Sequence, residues 1–184
     1  MQAGGRGSRE TKRPESEGDK KRGSKRMKVL IVSDTHRKND TFFNVVKLHK
    51  PDMVIHCGDA EGAEEMLQEA AECPFYIVLG NNDFFSDLPR ELEIQVGKYK
   101  LWVTHGHTYY VSAGSDYIKR EAAARGMDIV CYGHTHRPVI DLSGPAIALN
   151  PGSLSYPRQE NRRPSYIIME TDRNGEAHFT VAYL

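Results

Sequence analysis

Residues 27–36 read Met-Lys-Val-Leu-Ile-Val-Ser-Asp-Thr-His, an apolar run that ends in two metal-binding side chains. Val29 to Val32 are apolar without interruption, which is typical of a strand covered on both faces. Asp34 and His36 follow where this strand ends. They are two positions apart, so on an extended backbone both side chains point the same way. The stretch therefore predicts a buried strand that delivers ligands to a site at its carboxyl end.

Four more groups of polar donors follow apolar, β-branched runs in the same way. They are Gly58-Asp59, Gly80-Asn81, His105-Gly106-His107 and Gly133-His134-Thr135-His136. Because the strand ends of an open α/β sheet converge on one edge, we expect side chains spread over about a hundred residues to meet at one point.

Alternation of elements predicts the fold class. Strands at 27–32, 53–56 and 75–79 alternate with helices at 39–49 and 60–71, an order that requires parallel pairing. Phe42, Phe43, Val45, Val46 and Leu48 are the expected buried positions of the first helix, and Asn39 or Asp40 its cap.

The second half of the chain changes pattern. It predicts a hairpin over 92–104, a helix at 115–124, short strands at 129–132, 139–142 and 146–149, and a closing hairpin over 165–183. We therefore expect a mixed α/β (α+β) domain of two packed mixed sheets with helices outside.

Charge separates the first 26 residues from the rest. They contain nine Lys or Arg and four Asp or Glu, a net charge of +5, and their only apolar residues are Met1 and Ala3. Since the 184-residue chain sums to zero, residues 27–184 carry −5. We predict a disordered basic tail over 1–26 and one folded domain over 27–184.

The tail has no apolar core of a secretory signal, and no apolar run reaches the length of a membrane span. Its clusters of Lys and Arg could contact nucleic acid or act as a targeting signal. Alternatively, the tail is a solvated linker, or it results from an upstream start codon and Met27 is the natural start.

Three cysteines, two of them inside apolar runs, indicate buried free thiols in a reducing compartment, so we expect a cytoplasmic protein.

The donors combine oxygens with imidazole nitrogens and include no thiolate. Such a set suits Mn²⁺, Fe²⁺, Zn²⁺, Co²⁺ or Ni²⁺ better than Mg²⁺ or Ca²⁺. Seven donors exceed one tetrahedral site and fit two ions that share a carboxylate. Among these metals Mn²⁺ is the first expectation.

In order, the motifs D-x-H, GD, GN, HG and GHTH resemble the calcineurin-like metallophosphoesterase family. The short chain and Asn150-Pro151-Gly152-Ser153 are similar to the small YfcE-type phosphodiesterases within it, over residues 27–184. The resemblance implies a four-layer αββα sandwich and two metal positions that share Asp59. The first would be held by Asp34, His36, Asp59 and His136, and the second by Asp59, Asn81, His105 and His134.

The resemblance also implies that a hydroxide bridging two divalent metals attacks phosphorus, with Asp59 and Asn81 in the catalytic centre. Many phosphatases of the family read G-N-H-D where this chain reads Gly80-Asn81-Asn82-Asp83. Asn82 cannot act as a general acid. Either His107 protonates the leaving group or the substrate carries a good leaving group. The small phosphodiesterases that the chain resembles often lack the same His, so this difference favours a phosphodiesterase over a protein phosphatase.

Other readings remain open. One retromer subunit of this fold binds partner proteins, so a non-catalytic interaction scaffold is the first alternative; a phosphomonoesterase or a nuclease is the second. The −5 charge of the domain disfavours long nucleic acids, except through the tail. A homodimer is also expected. Arg37, Arg137 and Arg158 could bind phosphate or form surface ion pairs, and Tyr109, Tyr110 and Tyr156 could line the site.

Overall fold

The computed structural model describes Met1 and residues 26–184. The predicted tail, residues 1–26, therefore lies outside the described residues except at its two ends. The elements in chain order are β1 Lys28–Val32, α1 Asp40–His49, β2 Met53–His56, α2 Glu64–Ala71, β3 Phe75–Ile77, β4 Glu91–Val96, β5 Tyr99–Thr104, a 3₁₀ helix Val111–Ala113, α3 Asp116–Ala124, β6 Ile129–Cys131, β7 Pro138–Asp141, β8 Ile147–Pro151, β9 Ser165–Thr171 and β10 Ala177–Tyr183.

Ten strands form two five-stranded mixed sheets. The first has the order β10-β9-β1-β2-β3, and the second has the order β4-β5-β6-β8-β7. In the first, β1, β2 and β3 are parallel, whereas β9 is antiparallel to β1. In the second, β5, β6 and β8 are parallel, and β4 and β7 are antiparallel edge strands. The mixed pairing follows from helical crossovers early in the chain and hairpins late in it.

Three hydrophobic clusters define four layers. The inner faces of the two sheets meet in a cluster that includes Ile31, Ile129 and Ile167. Helices α1 and α2 cover the outer face of the first sheet around Phe42, and α3 covers the outer face of the second sheet around Trp102. This arrangement confirms the expected αββα sandwich.

Strand β1 explains why the opening run is apolar without a break. Val29 and Ile31 face the core between the sheets, whereas Leu30 and Val32 face the core beneath α1 and α2. All four are fully buried, and each contributes roughly 1.5–3 kcal/mol relative to an exposed position. Burial on both faces fixes β1 in the middle of its sheet, and with it the position of the residues that follow.

Local details differ from the sequence-based expectation. Helix α2 begins at Glu64 rather than residue 60, because Asp59, Glu61 and Gly62 all have positive φ, which a right-handed helix excludes. Leu48 is 66% exposed, so its predicted burial was wrong. Asn39 occupies the N-cap position of α1 as expected, but its side chain makes no capping hydrogen bond.

All three cysteines are free thiols, and Cys57 and Cys131 are buried as predicted. Burial raises the pKa of Cys131 to about 12, so this thiol is not ionised at neutral pH. Among the described residues, no helix combines the length and apolar character needed to cross a bilayer.

Candidate metal centre

Seven donors predicted from the sequence come together at one edge of the sandwich, where strands of both sheets end. Five of them, Asp34, His36, Asp59, His134 and His136, have positive φ between 44° and 68°. For residues other than glycine this conformation costs on the order of 1 kcal/mol or more. The backbone therefore turns sharply at each ligand, and the rest of the fold must hold it there.

One group of donors forms around Asp34, which is fully buried. Its Oδ1 lies 3.0 Å from Nε2 of His136 and 3.7 Å from Nε2 of His36. The two Nε2 atoms lie 3.4 Å apart. These ring nitrogens and the carboxylate thus converge on one small volume.

A second group forms around the side-chain oxygen of Asn81. Its Oδ1 lies 3.0 Å from Nε2 of His105 and 2.8 Å from Nδ1 of His134. His105 Nε2 also lies 3.5 Å from Oδ2 of Asp59. The same Asp59 oxygen is 3.7 Å from Nε2 of His36 in the first group, so Asp59 stands between the two groups.

Asp34 also approaches both groups. Its carboxylate forms one compact cluster with His36 and His136, and another with Asp59 and His105. Within each cluster the donor atoms lie within 4.8 Å of one another. The protein alone therefore offers two carboxylates in a position to be shared.

Backbone carbonyls set the ring orientations of two histidines. His105 Nδ1 donates to the carbonyl of Cys57, and His136 Nδ1 donates to the carbonyl of Tyr156, both at 2.7 Å. A carbonyl oxygen only accepts, so Nδ1 carries the proton and the neutral ring presents an Nε2 lone pair to the centre.

Those lone pairs face other acceptors. Nε2 of His105 points at the Asn81 oxygen, and Nε2 of His136 at the Asp34 carboxylate. Acceptors that face acceptors repel one another unless a proton or a cation lies between them. The donor set therefore fits a bound cation, and its mixed oxygen and nitrogen chemistry fits a divalent transition metal.

Without a metal, Asp34 and His136 stabilise each other's charged forms. Burial raises the pKa of Asp34, but the hydrogen bond from His136 and the charges of His105 and His136 outweigh it and hold the pKa below its usual value. Burial lowers the pKa of His136, but the Asp34 hydrogen bond and charge outweigh it and raise the pKa. A metal that binds Nε2 of His136 competes with a proton for the same lone pair, so its affinity should fall in acid.

The residue after Asn81 anchors the carboxylate of Asp59. Asn82 donates its backbone N–H to Oδ1 of Asp59 at 2.8 Å and its side-chain amide to Oδ2 at 2.7 Å. Asn82 thus orients Asp59, a role that the sequence did not reveal.

Asp83 is a positioning residue that sequence reasoning passed over. Its buried carboxylate accepts the backbone N–H groups of Asp59, Glu61 and Gly80 at 2.9, 2.6 and 2.7 Å. It thereby ties the loop after β2 to the loop after β3. Its place next to Asn82 in the motif was the available signal, but nothing in the sequence shows that its partners are backbone amides.

Distant parts of the chain hold the remaining loops. The hydroxyls of Ser153 and Ser155 both donate to the backbone carbonyl of Asp34 at 2.8 Å. The amide of Asn150 donates to the carbonyl of Gly133 at 2.9 Å. The Asn-Pro-Gly-Ser stretch therefore supports both the first and the last ligand loop.

Glu61 is a further residue that sequence reasoning missed. It accepts a 2.6 Å hydrogen bond from Nδ1 of His36, which turns Nε2 of that ring toward the centre.

His107 lies beside the second group, with its ring centroid 5.5 Å from that of His105 and 6.2 Å from that of His134. Its buried Nδ1 has no hydrogen-bond partner among the described residues.

The tyrosines and arginines considered from the sequence divide between the site and other surfaces. Tyr156 packs edge-on against His36, with ring centroids 5.4 Å apart. Tyr109 instead packs on Trp102 at the outer face of the second sheet, and Tyr110 on Tyr117. Arg37 lines one cleft beside the centre, and Arg158 lines another. The guanidinium of Arg137 instead donates to the backbone carbonyl of Arg158.

His56 is fully buried beneath the centre, as its apolar strand suggested. Its Nδ1 accepts from the backbone N–H of Gly58, and its Nε2 lies 3.2 Å from the hydroxyl of Thr35. Burial lowers the pKa of His56 to about 4, although nearby carboxylates act in the opposite direction. The neutral ring is therefore part of the packed structure.

This burial predicts a loss of stability in acid. Unfolded His56 takes up a proton below about pH 6.5 and the folded ring does not, so stability is lost as pH falls toward 4. In EDTA, we expect His56 to remove about 2 kcal/mol of unfolding free energy between pH 7.5 and pH 5. His56→Gln, which cannot ionise there, should show a smaller loss in guanidinium titrations; equal pH slopes for the two proteins would contradict the prediction.

A sandwich of two mixed sheets that gathers carboxylates, an amide and imidazoles at its strand ends has the features of a metal-binding protein. Residues 27–174 match the calcineurin-like phosphoesterase superfamily domain, and the chain belongs to this family. Its resemblance to metallophosphoesterases is thereby confirmed, as is the expectation of divalent metal ions as cofactors.

Several relatives of the chain are named metallophosphoesterases or phosphodiesterases. Probable metallophosphoesterase YsnB of Bacillus subtilis is 35% identical over 150 residues, which cover 80% of this chain and 86% of YsnB. Phosphodiesterase MJ0936 of Methanocaldococcus jannaschii is 28% identical over 147 residues, 68% of this chain and 83% of the relative. Phosphodiesterase YfcE of Escherichia coli is 34% identical over 80 residues, 44% of this chain and 39% of YfcE.

Solved structures agree with the fold. A predicted phosphoesterase from Streptococcus pneumoniae superposes with a TM-score of 0.71 at 28% identity, over 88% of this chain and 99% of the other. Vacuolar Protein Sorting 29 from Cryptosporidium parvum superposes with a TM-score of 0.68 at 20% identity, over 86% and 98%. The second likeness concerns the fold alone.

Proposed function

We propose that this metallophosphoesterase hydrolyses small phosphodiesters at a centre of two divalent ions. Asp34, His36, Asp59 and His136 would hold one ion, and Asp59, Asn81, His105 and His134 the other. The observation that carries the proposal is the convergence of ring nitrogens of His105 and His136 on amide and carboxylate oxygens, which can only accept hydrogen bonds.

When bound, two divalent ions would lower the pKa of a shared water and polarise the phosphoryl oxygens. The chain's own part is to hold the ligands in place. Glu61 and two backbone carbonyls fix the rings of His36, His105 and His136. Asn82 fixes both oxygens of Asp59, so the shared carboxylate is oriented before any metal binds.

Asn82 also supports the choice of phosphodiesters. Its amide is engaged with Asp59 and has no acidic proton to give to a leaving group. We propose His107 as the proton donor, because its ring lies beside His105 and His134 and its Nδ1 is unpartnered in the described part of the chain. An aryl or otherwise good leaving group would make this proton unnecessary.

We propose Mn²⁺ as the metal, since four imidazoles, two carboxylates and one amide make a mixed set of intermediate softness. We also propose that the protein is cytoplasmic, in keeping with its three free thiols, and that it forms a homodimer. The likeness of the fold to Vacuolar Protein Sorting 29 keeps a binding scaffold as the second candidate.

Metal replacement tests the proposal. Protein stripped with EDTA should be inactive and should bind two Mn²⁺ per chain, measured by calorimetry and by metal analysis after gel filtration. With Mn²⁺, Ni²⁺ or Zn²⁺ restored, bis(p-nitrophenyl) phosphate should be hydrolysed faster than p-nitrophenyl phosphate. Mg²⁺ should support less activity than Mn²⁺ because it binds imidazole poorly.

Each alternative has its own result. Faster hydrolysis of the monoester would overturn the choice of phosphodiesters. One Mn²⁺ per chain would overturn the dinuclear centre. Metal binding without turnover of any ester would favour the scaffold.

A further inference from the structure

Two clefts open beside the metal centre, and Glu61 and Asn82 line both of them. The aromatic cleft, of about 440 Å³, is lined by Phe84 and Phe85 together with Arg37. The arginine cleft, of about 420 Å³, is lined by Tyr156, Arg158 and Arg162 together with the donors His36 and His136. A phosphate at the centre would therefore lie beside two clefts with different linings.

Phe84 and Phe85 are unusual for surface residues. Phe84 is 78% exposed and Phe85 is 104% exposed, although full burial of such a ring is worth roughly 1.5–3 kcal/mol. Two adjacent exposed phenylalanines form an apolar surface that favours a ligand with an apolar face.

The loop that carries these rings is anchored to the centre. Asp83 precedes Phe84 directly and binds three backbone amides of the ligand loops. Ser86 closes the turn by donating its N–H to the carbonyl of Asp83 at 3.4 Å. The two rings thus have a fixed attachment next to the place where phosphate would bind.

A polar group in the same cleft points to a more specific ligand. Glu64 lines the aromatic cleft, and its Oε1 is buried without a hydrogen-bond partner among the described residues. A buried acceptor without a partner costs about 1–3 kcal/mol, so a ligand that donates an N–H to it would be favoured. Aromatic rings that carry amino groups, such as amino-substituted nucleobases, supply both a stacking face and this donor.

We infer that the aromatic cleft binds one ester group of the substrate, an aromatic ring with an N–H donor such as an amino-substituted nucleobase. Phe84 and Phe85 stack on the ring and Glu64 accepts from its amino group. The second ester group of the phosphodiester occupies the arginine cleft, which a monoester would leave empty. The inference rests on the proposed function, because it places the phosphorus at the metal centre.

Binding of AMP and ribose 5-phosphate to the Mn²⁺-loaded protein, measured by calorimetry, tests the stacking. The two probes share phosphate and ribose and differ in the base. We expect the wild-type protein to bind AMP on the order of 10- to 100-fold more tightly. Phe84→Ala and Phe85→Ala should each reduce this ratio several-fold, and neither removes a buried side chain that the fold needs.

Two further variants complete the experiment. Leu48→Ala removes an exposed apolar side chain on α1, away from both clefts, and should leave the ratio unchanged. Glu64→Ala, which removes the acceptor, should reduce the preference for AMP over purine riboside 5′-monophosphate, which lacks the amino group.

The outcomes separate this inference from the proposed function. Equal affinity for AMP and ribose 5-phosphate, or a ratio that the phenylalanine variants do not change, would overturn the cleft even if diesters are hydrolysed. A base preference that depends on Phe84 and Phe85 supports it even if turnover fails. If these variants dissociate a dimer and leave the ratio intact, the rings belong to a protein interface and the inference is wrong.

Discussion

Asp59→Asn should abolish phosphodiester hydrolysis, with kcat/KM falling on the order of 10³-fold or more. The substitution keeps the shape of the side chain and removes the charge that would face both metal positions. It also places an amide nitrogen against the two N–H groups that Asn82 now directs at the carboxylate, so one of these hydrogen bonds is lost in either orientation of the new amide. Bound Mn²⁺ should fall from two ions per chain to one or none.

A matched exchange of carboxylate for amide controls for charge. Asp116 lies on α3 with its side chain 85% exposed, and Asp116→Asn should keep full activity and both ions. The unfolding transition of metal-free Asp59→Asn should remain cooperative, because the change relieves a buried charge. Turnover at the wild-type rate in Asp59→Asn would refute a shared role for this carboxylate.

Gly80→Ala should both destabilise the protein and prevent metal binding at the centre. A Cβ at Gly80 would lie 2.0 Å from Oδ1 of Asp59 and 2.3 Å from its backbone nitrogen. Because the backbone nitrogen belongs to a loop clamped by Asp83, the conflict cannot be relieved by a change of rotamer. We expect a loss of about 3 kcal/mol or more in unfolding free energy, as for overpacking of a rigid site.

Gly126→Ala provides the comparison. Gly126 has a φ of 71° and nothing within 4 Å of the added Cβ, so alanine there costs only the strain of a left-handed residue, roughly 1–2 kcal/mol. Its metal content and activity should be unchanged. Thermal and chemical unfolding with metal analysis measure both variants, and a Gly80→Ala protein that binds two ions normally would contradict the geometry of these loops.

The features predicted correctly from the sequence are those that follow from a single physical rule. Burial of β1 on both faces requires an unbroken apolar run, and such a run is visible in the sequence. Strands that end at one edge bring their next residues together, which located all seven donors near one point. The order of strands and helices predicted two packed mixed sheets with helices outside, and the resemblance to the family implied the four-layer αββα form of that arrangement.

Other features could not be predicted because they depend on geometry across the fold. The positive φ of His136 is costly locally and exists only because surrounding loops impose it. Asp83 in the sequence is an ordinary loop carboxylate; its backbone partners become neighbours only after β2 and β3 pair. The exposure of Phe84 and Phe85 runs against the rule that large apolar residues are buried, so composition could not reveal it.

The support of Asp34 by Ser153 and Ser155 has a consequence for the order in which the molecule forms. These hydrogen bonds join residues 119 and 121 positions apart, and β1 pairs with β9 near the other end of the chain. Contacts of such separation form slowly, since a long loop must close first. Asp34, which we propose as a metal ligand, is thus held by contacts that should form late in folding, so we expect ions to bind to a nearly complete fold and not to initiate its formation.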